Sequence, residues 1–294
     1  MSARTRGELA LIAVTLVWGA SFVLVKNTLE HISTWLFLAL RFTVAAVCLG
    51  LFFGKRAAAG EGARGVALTG GLWAGLCLAA GFCFQTFGLR YTTPSKSAFI
   101  TGLTSALVPF LAFLVYRKAP HPSEAMGVAA ATVGLGLLTM PAGALGIGYG
   151  DAISLCCTVA YAGHILLIGR YSPKAPFELL SLTQLAVTAA VCWAMAGFAE
   201  APYGGMQPRV VGAVLFTGIL CTAIPFTVQT WAQQHTTATR TALIFAFEPV
   251  SAVITSYAVL GETLSGRGAL GALLILAGVL TVELKPGSTV KHPS

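Results

Sequence analysis

The sequence predicts an all-α integral membrane protein of ten transmembrane helices, arranged as two inverted five-helix repeats. Three observations carry this. Of 294 residues 56% are hydrophobic and only 10% charged, where soluble domains carry roughly 25% charged residues. The apolar residues fall in runs near the ~20 that a helix needs to cross a bilayer, not in the short alternating segments of an outer-membrane barrel. The second half of the chain also repeats the first, position by position.

The first run follows a short basic lead, Arg4 and Arg6, and lacks a small-residue cleavage site. It therefore reads as a first transmembrane helix and not as a cleavable signal. The ten spans are 8–29, 34–53, 66–88, 95–116, 123–140, 150–169, 177–199, 209–232, 238–260 and 266–283. Short loops join them. The Gly-rich piece PAGALGIGYG at 141–150 separates a first repeat, 1–143, from a second, 147–284. Residues 285–294 form a polar tail, expected in the cytoplasm.

Shifted by 144 positions, 66–100 falls on 210–244 with identities that include Cys77/Cys221, Phe82/Phe226, Gln85/Gln229 and Thr92/Thr236. Lys96 falls on Arg240, Gly127 on Gly271 and Gly134 on Gly278. Shifted by 143, Gly7-Glu8 falls on Gly150-Asp151, Trp18 on Tyr161 and Arg41 on Gln184. Five is odd, so the second copy starts on the opposite face of the membrane. Inverted repeats of this kind are a transporter plan, with the substrate site near the midplane. With the N-terminus inside, inner segments hold twelve basic residues (among them Lys55, Arg56, Arg117, Lys118, Arg170 and Arg240) and outer loops hold four. That bias places both termini in the cytoplasm.

The net charge of +8 is thus an orientation signal and not a nucleic-acid footprint. Seven cysteines, an odd number without a CxxC pair, all lie in apolar runs and read as small core residues. No P-loop and no metal-ligand cluster occurs, so no cofactor, no metal and no ATP-driven step is expected. The expected partners are a small-molecule substrate and the lipid bilayer; monomer and homodimer stay open.

Several motifs together resemble the drug/metabolite transporter superfamily, and within it the EamA-type carriers. These are G-E-x9-W-G at 7–19, L-R-F at 40–42, Glu248-Pro249, L-G-E at 260–262 and G-A-L-L-I-L-A-G at 271–278. The resemblance covers nearly the whole chain, and its amino-acid exporters of the YddG type are the most similar subgroup. It implies export of aromatic or other neutral amino acids, or related metabolites, across the bacterial inner membrane. One departure is that Arg117-Lys118 stands where the second repeat has Gly261-Glu262.

Seven residues are candidates for a substrate site. Glu248, deep in the ninth span and followed by Pro249, either attracts a substrate ammonium and exchanges a proton or caps backbone freed by the proline. It falls opposite Thr104. Arg41, roughly 12 Å inside the second span, either forks onto a carboxylate or snorkels to the headgroups. His164 is a proton relay or a packing histidine. Gln85 and Gln229 bond either substrate or helix ends. Tyr161 and Phe99 are the aromatics expected in a cavity. Glycines 127, 134, 271 and 278 are seven apart and predict close packing of spans five and ten. Pro109, Pro225 and Pro249 sit inside spans and either let the helices bend during gating or only kink them.

The functional expectation is a secondary carrier that moves amino acids outward by alternating exposure of a central cavity. The alternative is proton-coupled efflux of lipophilic cations. A membrane sensor or scaffold is disfavoured by the short loops, and an enzyme by the lack of a reactive polar cluster.

Overall fold

The computed structural model describes residues 1–59, 63–92, 94–117, 119, 121–139, 148–199, 207–251 and 265–283. Most of the Gly-rich piece at 141–150, Lys118, the end of the ninth span, Gly261-Glu262 and the tail lie outside the described residues. Among the described residues all regular structure is helical. Six helices come before residue 140: α1 Ala3–Thr28, α2 Thr34–Ala59, α3 Arg64–Tyr91, α4 Pro94–Gly102, α5 Thr104–Tyr116 and α6 Pro122–Thr139. Six follow: α7 Tyr149–Tyr171, α8 Phe177–Ala199, α9 Pro208–Gly218, α10 Ile224–Ala232, α11 Ala238–Phe245 and α12 Gly266–Glu283.

Among the described residues seven helical stretches are long and apolar enough to cross a bilayer, and they match expected spans one to four and six to eight. Pro122–Leu138 and Gly266–Thr281 are apolar but shorter. The chain is a multi-pass membrane protein.

Within the described residues three of the expected spans are not continuous helices. The fourth breaks at Leu103, between α4 and α5. The ninth breaks at Ala246 and Phe247, and a helical turn resumes at Glu248. These breaks are equivalent under the 144-residue shift, and each is closed by the same kind of tight bond: Leu103 N–H to Ile100 O and Phe247 N–H to Ile244 O. In the second copy Pro249 lacks the N–H that would bond the Phe245 carbonyl, which accounts for the interruption. The eighth span passes through a π-helical turn at Ile219–Ala223, just before Pro225. That proline likewise leaves the Cys221 carbonyl without an intrahelical donor.

α3 packs against both α7 and α8, and α2 against α8 and α9. α6 and α12 pack on each other backbone to backbone. A Cβ on Gly134 would stand 2.6 Å from the Gly271 carbonyl oxygen, and one on Gly278 2.5 Å from that of Gly127. The pairing is reciprocal, 134 with 271 and 127 with 278, so the helices run antiparallel. Small residues allow this approach in lipid, where helices gain little from hydrophobic burial.

Backbone groups at helix ends must find partners within the protein when water is scarce. Lys26, at the end of α1, donates to the carbonyls of Leu89 and Thr92 at the end of α3. Arg90, at the end of α3, returns bonds to the carbonyls of Leu29 and Ile32. In the second half Gln234 occupies the place of Arg90 and donates to Ser172 and Ala175, the positions equivalent to Leu29 and Ile32.

The Gly-acid pair at the start of α1 recurs at the start of α7 with the same contacts. Gly7 lies against Ala232, and Gly150 against Gly88 and Tyr91; only small residues permit these approaches. Beside them, Glu8 accepts from Thr236 Oγ1 (3.0 Å), Arg240 Nη1 (3.5 Å) and Arg4 Nε (2.8 Å). Asp151 accepts from the Thr92 hydroxyl and from Gly148 N–H. Thr92 and Thr236 are equivalent positions, so each acid grips the turn that precedes a broken helix of the other half.

Candidate functional site: a cavity at two helix breaks

A cavity with an empty volume of ≈ 860 Å³, open space at its mouth included, lies where α1, α2, α3, α7 and α10 meet the two breaks. Its walls combine aromatic surface with a few polar groups, as small-molecule sites do. Thr101, Gly102, Thr104 and Ser105 line it from the first break, and Phe245, Ala246 and Glu248 from the second.

The aromatic wall is built on equivalent positions. Trp18 packs on Phe226 with ring centroids 5.4 Å apart, and Tyr161 on Phe82 at 5.6 Å. Phe245 meets Trp18 edge to face at 5.0 Å.

Arg41 is 4% exposed and does not snorkel. Its Nε donates to Thr222 Oγ1 at 2.7 Å and its Nη2 to the Cys221 carbonyl at 3.2 Å. The indole N–H of Trp18 reaches the same carbonyl at 2.9 Å. The acceptor released by Pro225 is therefore held by two cavity-lining side chains. The guanidinium carbon sits 4.8 Å from the Phe82 ring centroid, in cation–π range. Two of the five guanidinium N–H donors are used in these bonds, so others remain for a ligand.

His164 is buried, and its Nε2 lies 2.7 Å from Gln184 Oε1. Gln184 Nε2 donates to Thr230 Oγ1, which donates to the Phe226 carbonyl. Because that carbonyl can only accept, the chain fixes every orientation and puts the proton on His164 Nε2.

Gln85 and Gln229 both line the cavity but differ in bonding. Gln85 is satisfied at both ends: Nε2 donates to Thr101 Oγ1 and Oε1 accepts from the Tyr161 hydroxyl, each at 2.9 Å. Gln229 donates from Nε2 to Gln233 Oε1 at 3.0 Å, while its own Oε1 is enclosed without a partner among the described residues. Thr104 Oγ1 is likewise enclosed without a partner among the described residues. A buried polar atom in that position costs about 1–3 kcal/mol. Among the described residues, the ion pairs Arg4–Glu8 and Arg240–Glu8 lie at the helix ends, and none joins Glu248 to Arg41.

Six of the seven candidate residues thus line one cavity: Arg41, Gln85, Tyr161, His164, Gln229 and Glu248. Phe99 does not join them. It packs in the apolar cluster of Leu135, Leu243 and Ile275. Phe99 precedes the lining residue Thr101 by two positions, about 200° around a helix, so the α4 face that carries Thr101 to the cavity turns Phe99 away. The residues that sequence reasoning passed over are Thr104, Gln184 and Gln233. The first two had a signal, as the repeat partners of Glu248 and Arg41.

Comparison with known proteins agrees with this architecture. The model of the EamA-like transporter family matches the chain twice, at residues 5–140 and 148–284. An uncharacterized transporter of Archaeoglobus fulgidus is 30% identical over 282 residues, covering 96% of this chain and 87% of its own. The uncharacterized transporter YoaV of Bacillus subtilis is 24% identical over 280 residues, covering 92% and 94%. A crystal structure aligns with a TM-score of 0.79 at 19% identity, over 95% of this chain and 98% of its own, which shows a shared fold. A polar-lined cavity in a multi-pass helical chain and a family model that matches both halves lead to one conclusion: the protein is a transporter of the EamA-like family.

Proposed function

We propose that the chain is a secondary carrier of the bacterial inner membrane that exports aromatic or other neutral amino acids, or related small metabolites. It does so by alternating exposure of the cavity. In this reading ten spans form two inverted five-helix repeats, and both termini face the cytoplasm. The observation that carries it is the pair of equivalent helix breaks facing one cavity, the arrangement in which carriers expose backbone and polar groups at membrane depth. The reciprocal α6–α12 packing and the matched Gly-acid contacts support the inverted repeat. In a carrier these contacts serve as two latches, Glu8–Thr236 at the inner end and Asp151–Thr92 at the outer.

The site's chemistry suits an amphiphile. Glu248 attracts an ammonium, the unused N–H groups of Arg41 attract a carboxylate, and the rings of Trp18, Phe82, Tyr161 and Phe226 take an apolar side chain. Counter-flow of labelled amino acids in proteoliposomes tests this, with exchange of aromatic and neutral amino acids expected and no exchange of any amino acid overturning it. A second reading, proton-coupled efflux of lipophilic cations, is favoured by the carboxylate of Glu248, which has no ion-pair partner among the described residues. Flux driven by a pH gradient separates the two.

A further inference from the structure

The equivalent glutamines meet different fates for a reason that bears on what the cavity binds. Gln233 Nε2 donates to the Ile165 carbonyl at 3.0 Å. A carbonyl can only accept, so Gln233 must present its oxygen to Gln229. Gln229 must then turn its amide nitrogen toward Gln233, which leaves Oε1 as the free end. Thr104 is also unpaired among the described residues. Its neighbour Ser105 follows the usual course in membrane helices and donates to a preceding carbonyl, that of Gly102 at 2.8 Å, but the Thr104 hydroxyl has no such bond.

Together with Glu248 this makes three acceptor-bearing groups from three separate elements, α5, α10 and the turn after α11, lining one cavity. Arg41, the strong donor there, gives Nε and one Nη2 hydrogen to Thr222 and the Cys221 carbonyl, and among the described residues none of its hydrogen bonds reaches Glu248, Gln229 or Thr104. We propose that Glu248, Gln229 and Thr104 form a site for a primary ammonium group, and that the carrier discriminates against N-alkylated ligands. A primary ammonium brings three N–H donors and no acceptor, one donor for each group. Every N-methyl group removes a donor and returns one acceptor to its unpaired state, and sites built on hydrogen bonds reject ligands on that ground.

The inference rests on the carrier reading above. Its test uses the full chain in proteoliposomes with L-phenylalanine, N-methyl-L-phenylalanine, N,N-dimethyl-L-phenylalanine and 2-phenylethylamine as competitors of labelled L-phenylalanine counter-flow. Apparent affinity is expected to fall roughly 10-fold with each methyl group, while 2-phenylethylamine still competes. Thr104→Val, near in shape and removing a hydroxyl that bonds nothing among the described residues, and Gln229→Met are each expected to shrink the ratio between the unmethylated and dimethylated compounds. Melting temperature in detergent checks that each variant is folded. Equal competition by the three phenylalanines, or an unchanged ratio in both folded variants, overturns the ammonium site and leaves the carrier reading intact. Absence of counter-flow for L-phenylalanine and for every other amino acid overturns both.

Discussion

Phe82 and Phe226 occupy the same position in the two halves of the chain, 144 residues apart, and they touch, edge to face, with ring centroids 5.9 Å apart. Equivalent residues meet only where the relation between the halves passes between them. Each ring also contacts a wall aromatic from the other half of the chain, Tyr161 for Phe82 and Trp18 for Phe226. The pair therefore joins the two sides of the cavity. Phe82→Ala removes the edge contacts and the face under Arg41, and is expected to destabilise the protein by roughly 3–5 kcal/mol, measured by denaturation in detergent. Phe82→Leu keeps most of the volume and is expected to cost less.

Arg41→Lys keeps the charge but loses the planar fork that reaches Thr222 and Cys221 together. Loss of about 2–3 kcal/mol of stability is expected, again by denaturation. A lysine that behaved like arginine would mean that charge alone matters at this position.

Glu248→Gln is nearly isosteric and disturbs no hydrogen bond among the described residues. Its melting temperature is expected to stay close to that of the native chain, while substrate exchange falls roughly 10- to 100-fold through loss of a charge-assisted contact. Initial rates of counter-flow provide the check.

The two latches predict opposite effects. Glu8→Gln weakens the bonds to Arg240 and Arg4, and Asp151→Asn those to Thr92 and Gly148. Each is expected to shift the balance of open forms by about 1–2 kcal/mol, roughly 5- to 30-fold. In a cysteine-free background carrying Thr101→Cys, impermeant thiol reagent should label faster from the face that bears the N-terminus in Glu8→Gln, and from the other face in Asp151→Asn.

Gly134→Val and Gly271→Val each drive a side chain into the backbone of the facing helix. A loss of roughly 2–4 kcal/mol is expected. Gly212→Val, where a Cβ meets nothing within 4 Å, serves as the control and should melt with the native chain.

Much of this was legible in the sequence because it depends on spacing. Seven-residue glycine intervals and a shift of 144 are visible in the letters, and they foretold the α6–α12 contact and the equivalence of Gln85 with Gln229. Pro225 and Pro249 marked the bends. What the letters did not hold is which group takes up an acceptor that a proline releases. Trp18 and Arg41 reach Cys221 only because tertiary packing brings α1 and α2 to the π turn. Phe99 was misplaced for a related reason. Its depth along the fourth span was readable, but its facing depends on where the helix is interrupted, and no proline marks Leu103. Gln184 was visible only as the repeat partner of Arg41; its role in holding His164 depends on a contact between α7 and α8 that the letters do not show.

The glycine contacts between α6 and α12 have a mechanical consequence. One close crossing would let two rods scissor about a point, but contact at both 127/278 and 134/271 fixes a line and removes that freedom. The pair therefore behaves as a rigid spine. Any swing of the surrounding bundle has to be taken up elsewhere, at Leu103, at Ala246–Phe247 and at the π turn before Pro225, which are the joints nearest the cavity.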